Sequence, residues 1–213
     1  MNWRTYTCDF CPGIVACRTA TSKVVVATPC RHGGLLVIGE APGEDEDTHG
    51  IGFAGAAGIV LRKLLHDANL FSPEYGVANI CRCRPRDGQG NNRAPTPIEI
   101  SQCLPYLGSL IRDARPKVIL AVGVKTAAKV LCGGASMEEQ LRVGEDTGWR
   151  AEHSRHLAHE AIRDALKDVS YIVPMPHTSP KNRTPGHKDI AKTQVALAAK
   201  LLHQREISGR QTL

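Results

Sequence analysis

Aromatic side chains are scarce in this chain: Phe, Trp and Tyr together make up 4% of 213 residues, with only three Phe and two Trp. A broad surface for stacking rings is therefore excluded, and a lone Phe in a glycine-rich stretch gains weight. Long apolar runs are missing as well. No stretch of about 18 consecutive apolar residues occurs, so no helix is expected to cross a membrane. The opening stretch MNWRTYTCDFCPG lacks the basic, apolar, small-residue order of a signal peptide. Both absences lead to the expectation of a soluble, cytoplasmic protein without a membrane partner. No GK[ST] follows a glycine-rich turn, which excludes P-loop nucleotide chemistry. Acidic residues are the minority: 27 Lys and Arg face 21 Asp and Glu, for a net charge of +6. That balance suits a polyanionic partner such as nucleic acid.

What is present is a chain long enough to bury one α/β core, so a single domain over 1–213 is expected. LLVIG (35–39), YGVANICRC (75–83), KVILAVG (117–123) and YIVPMPH (171–177) are short and rich in Val and Ile, as buried parallel strands require. Helical spacing separates them, through Leu61 and Leu65, then Leu104 and Leu107. VKTAAKVL and KDIAKTQVALAAKLLHQ are expected as further helices. The order β-α-β-α-β-α-β-α predicts an α/β fold, a three-layer αβα sandwich around a central four-stranded parallel sheet. Ligands of such sheets bind at the carboxyl ends of the strands, which places Gly39, Asn79, Cys83, Gly123 and His177 near one face. The segment from about 133 to 168 fits this scheme poorly. Its His153, His156 and His159 suit an ordinary charged helix surface better than a metal site.

Two features carry chemistry. The stretch GEAPGEDED (39–47) packs acidic residues at the mouth of the first strand of a basic protein. It is too acidic to cradle phosphate; its carboxylates could favour a helix N-terminus, orient a water or stabilise a cation. The second feature is eight cysteines without a secretory signal, a pattern that favours a metal or cluster over disulfides. Cys8 and Cys11 form C-x2-C, Cys83 ends NICRC, and Cys103 sits in the next helical pattern. Four thiolates so distributed can close on a [4Fe–4S] cluster or on zinc. Cys132 and Cys81 suit the core better.

GEAPGEDED, GIGFAGAAG (50–58), NICRCRPRDGQGNNRAPTP (79–97) with a following Cys, and HTSP (177–180) resemble, in order, the motifs of the uracil-DNA glycosylase superfamily. The likeness is nearest to its iron–sulfur family 4 branch and spans the chain from Cys8 to the last helix. The resemblance implies a glycosylase that flips uracil out of DNA and hydrolyses its N-glycosidic bond, leaving an abasic site in base excision repair. It assigns catalytic roles to Glu40 and to Glu44 or Glu46 in positioning the water, with the acid that activates it left open, and to His177 facing the uracil O2. Gly39, Ala41, Phe53 and Asn79 would bind the base, with Phe53 stacking and Asn79 reading the edge. Ser179, Lys181 and Arg183 would contact DNA. Cys8, Cys11, Cys83 and Cys103 would hold a [4Fe–4S] cluster, with Cys17 and Cys30 as competitors for the place of Cys11.

The chemistry accounts for the residue types. Bond cleavage leaves an oxocarbenium-like sugar and a uracil anion, so a carboxylate can stabilise one and a His donor the other. The acidic turn would face the cation while the basic surface holds phosphates. Thr178 departs from the proline that usually follows the motif His. The partner implied is single- or double-stranded DNA, met by a nucleoid-associated monomer. The alternatives are excision of another deaminated or modified base, or lesion binding without catalysis.

Overall fold

A computed structural model describes residues 2, 4, 7–16, 19, 22–134, 136–180, 182 and 184–204. The four apolar runs form one parallel sheet of β1 (Leu35–Gly39), β2 (Tyr75–Asn79), β3 (Val118–Val122) and β4 (Tyr171–Met175), in the order β2-β1-β3-β4. Every position of β1, β3 and β4 is buried, because both faces of the sheet are covered.

The helices are α1 (Pro12–Ala16), α2 (Glu44–His49), α3 (Ala56–Asp67), α4 (Pro97–Ala114), α5 (Lys129–Cys132), α6 (Met137–Thr147), α7 (Ala151–Ser154), α8 (Glu160–Arg163) and α9 (His187–His203). Strand alternation sorts them into layers. Leu36, Ile38, Ile119, Ala121 and Ile172 share a core with α1, α4, α5 and α8. Leu35, Val37, Val118, Leu120 and Val173 share the other with α3 and α9. The result is the expected three-layer αβα sandwich. Thr96 starts α4 by accepting from Glu99 N at 3.3 Å, while the Glu99 carboxylate accepts from Thr96 N at 2.7 Å, with Pro97 in the first turn.

Two elements differ from expectation, and a third takes up one of the alternatives that the sequence left open. β2 ends at Asn79 rather than Cys83; beyond it, Ile80 N and Cys81 N donate to Gly39 O and Glu40 O at 2.8 and 2.9 Å. The GEAPGEDED stretch is a helix, α2, from Glu44 on, whose first turn is entirely acidic and thus favoured at the positive end of its dipole. The helix after β3 opens with a π turn, Val124–Ala128, before α5. The segment 133–168 packs α8 on α4 and α6 on β4.

Each outer strand has a short antiparallel partner. Thr28 and Val77 exchange backbone hydrogen bonds at 2.8 and 2.9 Å beside β2. Beside β4, Arg150 bridges Tyr171, flanked by Ile172 N donating to Trp149 O at 3.1 Å and Ala151 N to Ser170 O at 2.9 Å. No helix among the described residues is long and apolar enough to cross a membrane.

Candidate active site

The chain runs from β1 out to β2, then returns past β1 to β3 and on to β4, so the winding reverses between β1 and β3 and opens a crevice at the carboxyl ends of the strands. A cleft of about 540 Å³ lies there, lined by Gly39, Glu40, Ala41, Phe53, Asn79 and His177 among others. Gly39 and Asn79 stand opposite each other in register at the ends of β1 and β2. A Cβ at Gly39 would come within 2.5 Å of Asn79 Oδ1 and 2.7 Å of Phe53 Cζ, so this position has no room for a side chain.

Phe53 is buried and holds a φ of 57°, a left-handed conformation that non-glycine residues seldom adopt. Arg62 secures it: its Nη1 donates to Phe53 O at 2.7 Å. Gly58 leaves space against the Phe53 backbone that a larger residue would fill. Asn79 has no side-chain hydrogen bond within the described residues, so its amide is available to a ligand.

The acidic residues divide by environment. Glu46 is buried, and both carboxylate oxygens accept backbone N–H groups, from Gly43 at 2.9 Å and Gly55 at 2.8 Å. It ties the acidic turn to the start of α3 and has no oxygen left without a partner. Asp47, also buried, accepts from Ser22 Oγ at 2.9 Å and pairs closely with Arg86. Glu44 is 77% exposed and faces Arg84 at 3.5 Å. Glu40 lines the cleft, and Thr126 Oγ1 donates to its Oε2 at 2.5 Å.

His177 is exposed by surface area, yet the cleft walls crowd its ring. That crowding lowers its pKa from the ordinary value of 6.5, against an opposing pull from Glu40 and Glu46. Ser179 N donates to His177 Nδ1 at 3.0 Å, which requires a lone pair on Nδ1 and leaves the proton on Nε2. Thr178, in place of the expected proline, is buried and donates its hydroxyl to Ala57 O at 2.9 Å. It thereby fastens the His177 loop to α3. Asn182 Nδ2 donates to His177 O at 3.1 Å. Ser179 lines the cleft; Lys181 and Arg183 lie outside the described residues.

The loop 85–97 is held rigidly. Arg93 forks onto Glu99 at 2.6 and 2.8 Å, and Arg84 Nε donates to Asn92 Oδ1 at 2.5 Å. The Arg93 hydrogen bond is the main reason the Glu99 carboxyl lies below the usual range. Thr126, Arg62 and the Asp47–Arg86 pair carry no signal in the sequence, and Thr178 stands out there only as a departure from proline. Thr126, Thr178 and the Asp47–Arg86 pair act across distant parts of the chain and Arg62 on a backbone carbonyl nine residues before it, and no local pattern announces these contacts.

Cys8, Cys11, Cys83 and Cys103 are all buried in one core layer. Burial pushes the Cys11 thiol up to about 12, helped by the charges of Cys103, Cys8 and Cys83, so these three lie within electrostatic reach of Cys11. Among the described residues no three His, Cys, Asp or Glu could hold a single metal ion, His153, His156 and His159 included. A cubane spreads its thiolates more widely than one ion does, and an all-sulfur donor set fits an iron–sulfur cluster. Cys81 is hydrogen-bonded to Cys103, which brings a fifth thiol to this site. Cys30 packs beside Gly34 and Gly76, at the start of β1 and the amino end of β2, and no cysteine perturbs it. Cys17 lies outside the described residues.

Residues 27–200 match the family model of the uracil DNA glycosylase superfamily. A Type-4 uracil-DNA glycosylase from Thermotoga maritima is 32% identical over 146 residues, 68% of this chain and 71% of that protein. The Type-4 uracil-DNA glycosylase of Archaeoglobus fulgidus is 40% identical over 89 residues, 42% of this chain and 43% of that protein. That of Pyrobaculum aerophilum is 37% identical over 98 residues, 46% of this chain and 48% of that protein. The aligned part thus spans under half the length of the two archaeal relatives. With four strands in the order β2-β1-β3-β4 and a family match over most of its length, the chain belongs to the uracil DNA glycosylase superfamily.

Proposed function

We propose that the chain is a monofunctional glycosylase that receives a uracil flipped out of DNA and hydrolyses its N-glycosidic bond. The observation that carries this reading is the meeting of Gly39, Phe53, Asn79, Glu40 and His177 in one cleft at the strand ends. A base entering over Gly39 stacks on Phe53. Asn79 donates from Nδ2 to O4 and accepts N3–H at Oδ1, a pairing that cytosine cannot meet because its amino group donates and its N3 accepts. The His177 Nε2–H points its positive end at O2, where negative charge gathers as the bond breaks. Glu40 is the acid that faces the developing sugar cation and the attacking water. Glu46 serves by shaping the turn, and exposed Glu44 stands at the mouth.

Cys8, Cys11, Cys83 and Cys103 would hold a [4Fe–4S] cluster. Bound there, it would supply a structural cross-link between the N-terminal segment and α4, with no part in hydrolysis. DNA would be gripped by Ser179, Lys181 and Arg183, and the enzyme would act as an intracellular, nucleoid-associated monomer.

The test is release of uracil from single-stranded DNA by the purified protein, with Asn79→Ala and His177→Ala beside it. Release that falls by about 10- to 100-fold in each variant is expected, the size of a lost hydrogen bond to a charged or charging group. DNA binding without release of uracil would overturn the reading, in favour of another base or of a binding protein.

A further inference from the structure

Of the acids in the turn, Glu46 and Asp47 are immobilised by backbone amides and by Arg86, and Glu44 and Asp45 are open to water. Glu40 is different. One of its oxygens is held by a single hydroxyl, and the other has no hydrogen bond within the described residues. That hydroxyl belongs to Thr126, which is buried and lies in the π turn after β3. A helical threonine ordinarily returns its hydroxyl to the carbonyl one turn before it. Thr126 instead gives its proton to a side chain from another strand.

The turn is built for this. Gly123, at φ 104°, leaves β3 in a conformation closed to other residues, and its carbonyl accepts from Ala128 N at 3.0 Å across five residues. The wider loop holds one residue more than an α turn would, a feature that recurs at functional sites. A Cβ at Gly123 would stand 3.7 Å from His177 Cδ2. One turn therefore abuts the carboxylate and the imidazole together.

We propose that Thr126 is a positioning residue that aims the Glu40 carboxylate at the developing sugar cation, an inference that rests on the glycosylase reading. A hydroxyl donating to a carboxylate makes a charge-assisted bond, short and directional, so it fixes the free oxygen as well as the bonded one.

The test compares binding of two oligonucleotides, one with a cationic azasugar in place of the deoxyribose and one with a neutral tetrahydrofuran, so it needs no turnover. The wild type is expected to prefer the cationic probe, and Glu40→Gln to lose that preference. Thr126→Val should reduce the preference about tenfold, Thr126→Ser should keep it, and Thr126→Val should add nothing to Glu40→Gln. Thermal melts establish that each variant is folded. No preference in the wild type would overturn both the glycosylase reading of Glu40 and the role of Thr126. A preference abolished by Glu40→Gln but retained by Thr126→Val would overturn the role of Thr126 alone. Equal loss in the Val and Ser variants would overturn it too, since the hydroxyl would not be the agent.

Discussion

His177 shows how a single ring is made ready by its surroundings. Ser179 N donates to Nδ1, so the ring is held neutral with its proton on Nε2. Protonation at Nδ1 would set two donors against each other and break this bond. The cleft walls lower the pKa below 6.5 and so favour the neutral form. Activity should therefore be fully present near neutral pH and be lost only as pH falls through that lowered pKa. The measurement is the acid limb of kcat/KM against pH, which should lie below 6.5 and vanish in His177→Ala. Phe53, Asn79, Glu40 and His177 were legible in the sequence because each sits inside a short ordered motif. Thr126 and Arg62 were not, because a threonine in VKTAA and an arginine on an exposed helix face are ordinary until their partners are known.

Between elements, buried charge does the fastening. Asp47 and Arg86 are 6% and 11% exposed and join the acidic turn to the loop after β2. Removing one partner leaves the other buried and uncompensated, at a cost of about 3–5 kcal/mol. Arg86→Met should lower stability by that order in denaturant unfolding, and Asp47→Asn added to it should recover part of the loss. The four strands and the helices α3, α4 and α9 were legible from spacing alone, since long amphipathic periods leave little choice. The end of β2 was not, because Ile80 to Cys83 stay apolar enough to look like strand while their backbone turns to the loop after β1. Helix α2 was legible in part, as a helix start that stood beside other readings of the acidic turn. EDED favours a helix start only once Gly43 supplies its N-cap and Glu46 closes back on it.

On the scale of the whole molecule, the N-terminal segment meets α4 through Cys11, whose Sγ donates to Gln102 Oε1 at 3.0 Å. Helix α1 is five residues long and buries only Ile14, and the segment around it adds Cys8 and Cys11 to the core and sets Phe10 against Tyr106. If Cys8, Cys11, Cys83 and Cys103 carry a cluster, Cys83→Ser should lower iron and sulfide per chain and speed protease cleavage within 7–16, while the sheet stays folded by circular dichroism. The cysteine framework was legible in part: spacing suggested four ligands, but nothing local could show that Cys81 joins Cys103 or that Cys30 packs elsewhere.

The short partners of β2 and β4 have a further consequence. An open strand edge is a template on which a second chain can add its own strand, the usual beginning of aggregation. Here Thr28 occupies one border of the sheet, and Trp149 to Ala151 occupy the other. Neither is long enough to count as a strand, yet each takes up backbone donors and acceptors that a neighbouring copy would need. Pro29 follows at once on the first side and has no N–H to offer, so the ladder cannot be extended there residue by residue. The molecule thus carries its own stoppers against sheet-to-sheet growth, a safeguard for a fold whose four central strands are among the most apolar parts of the chain.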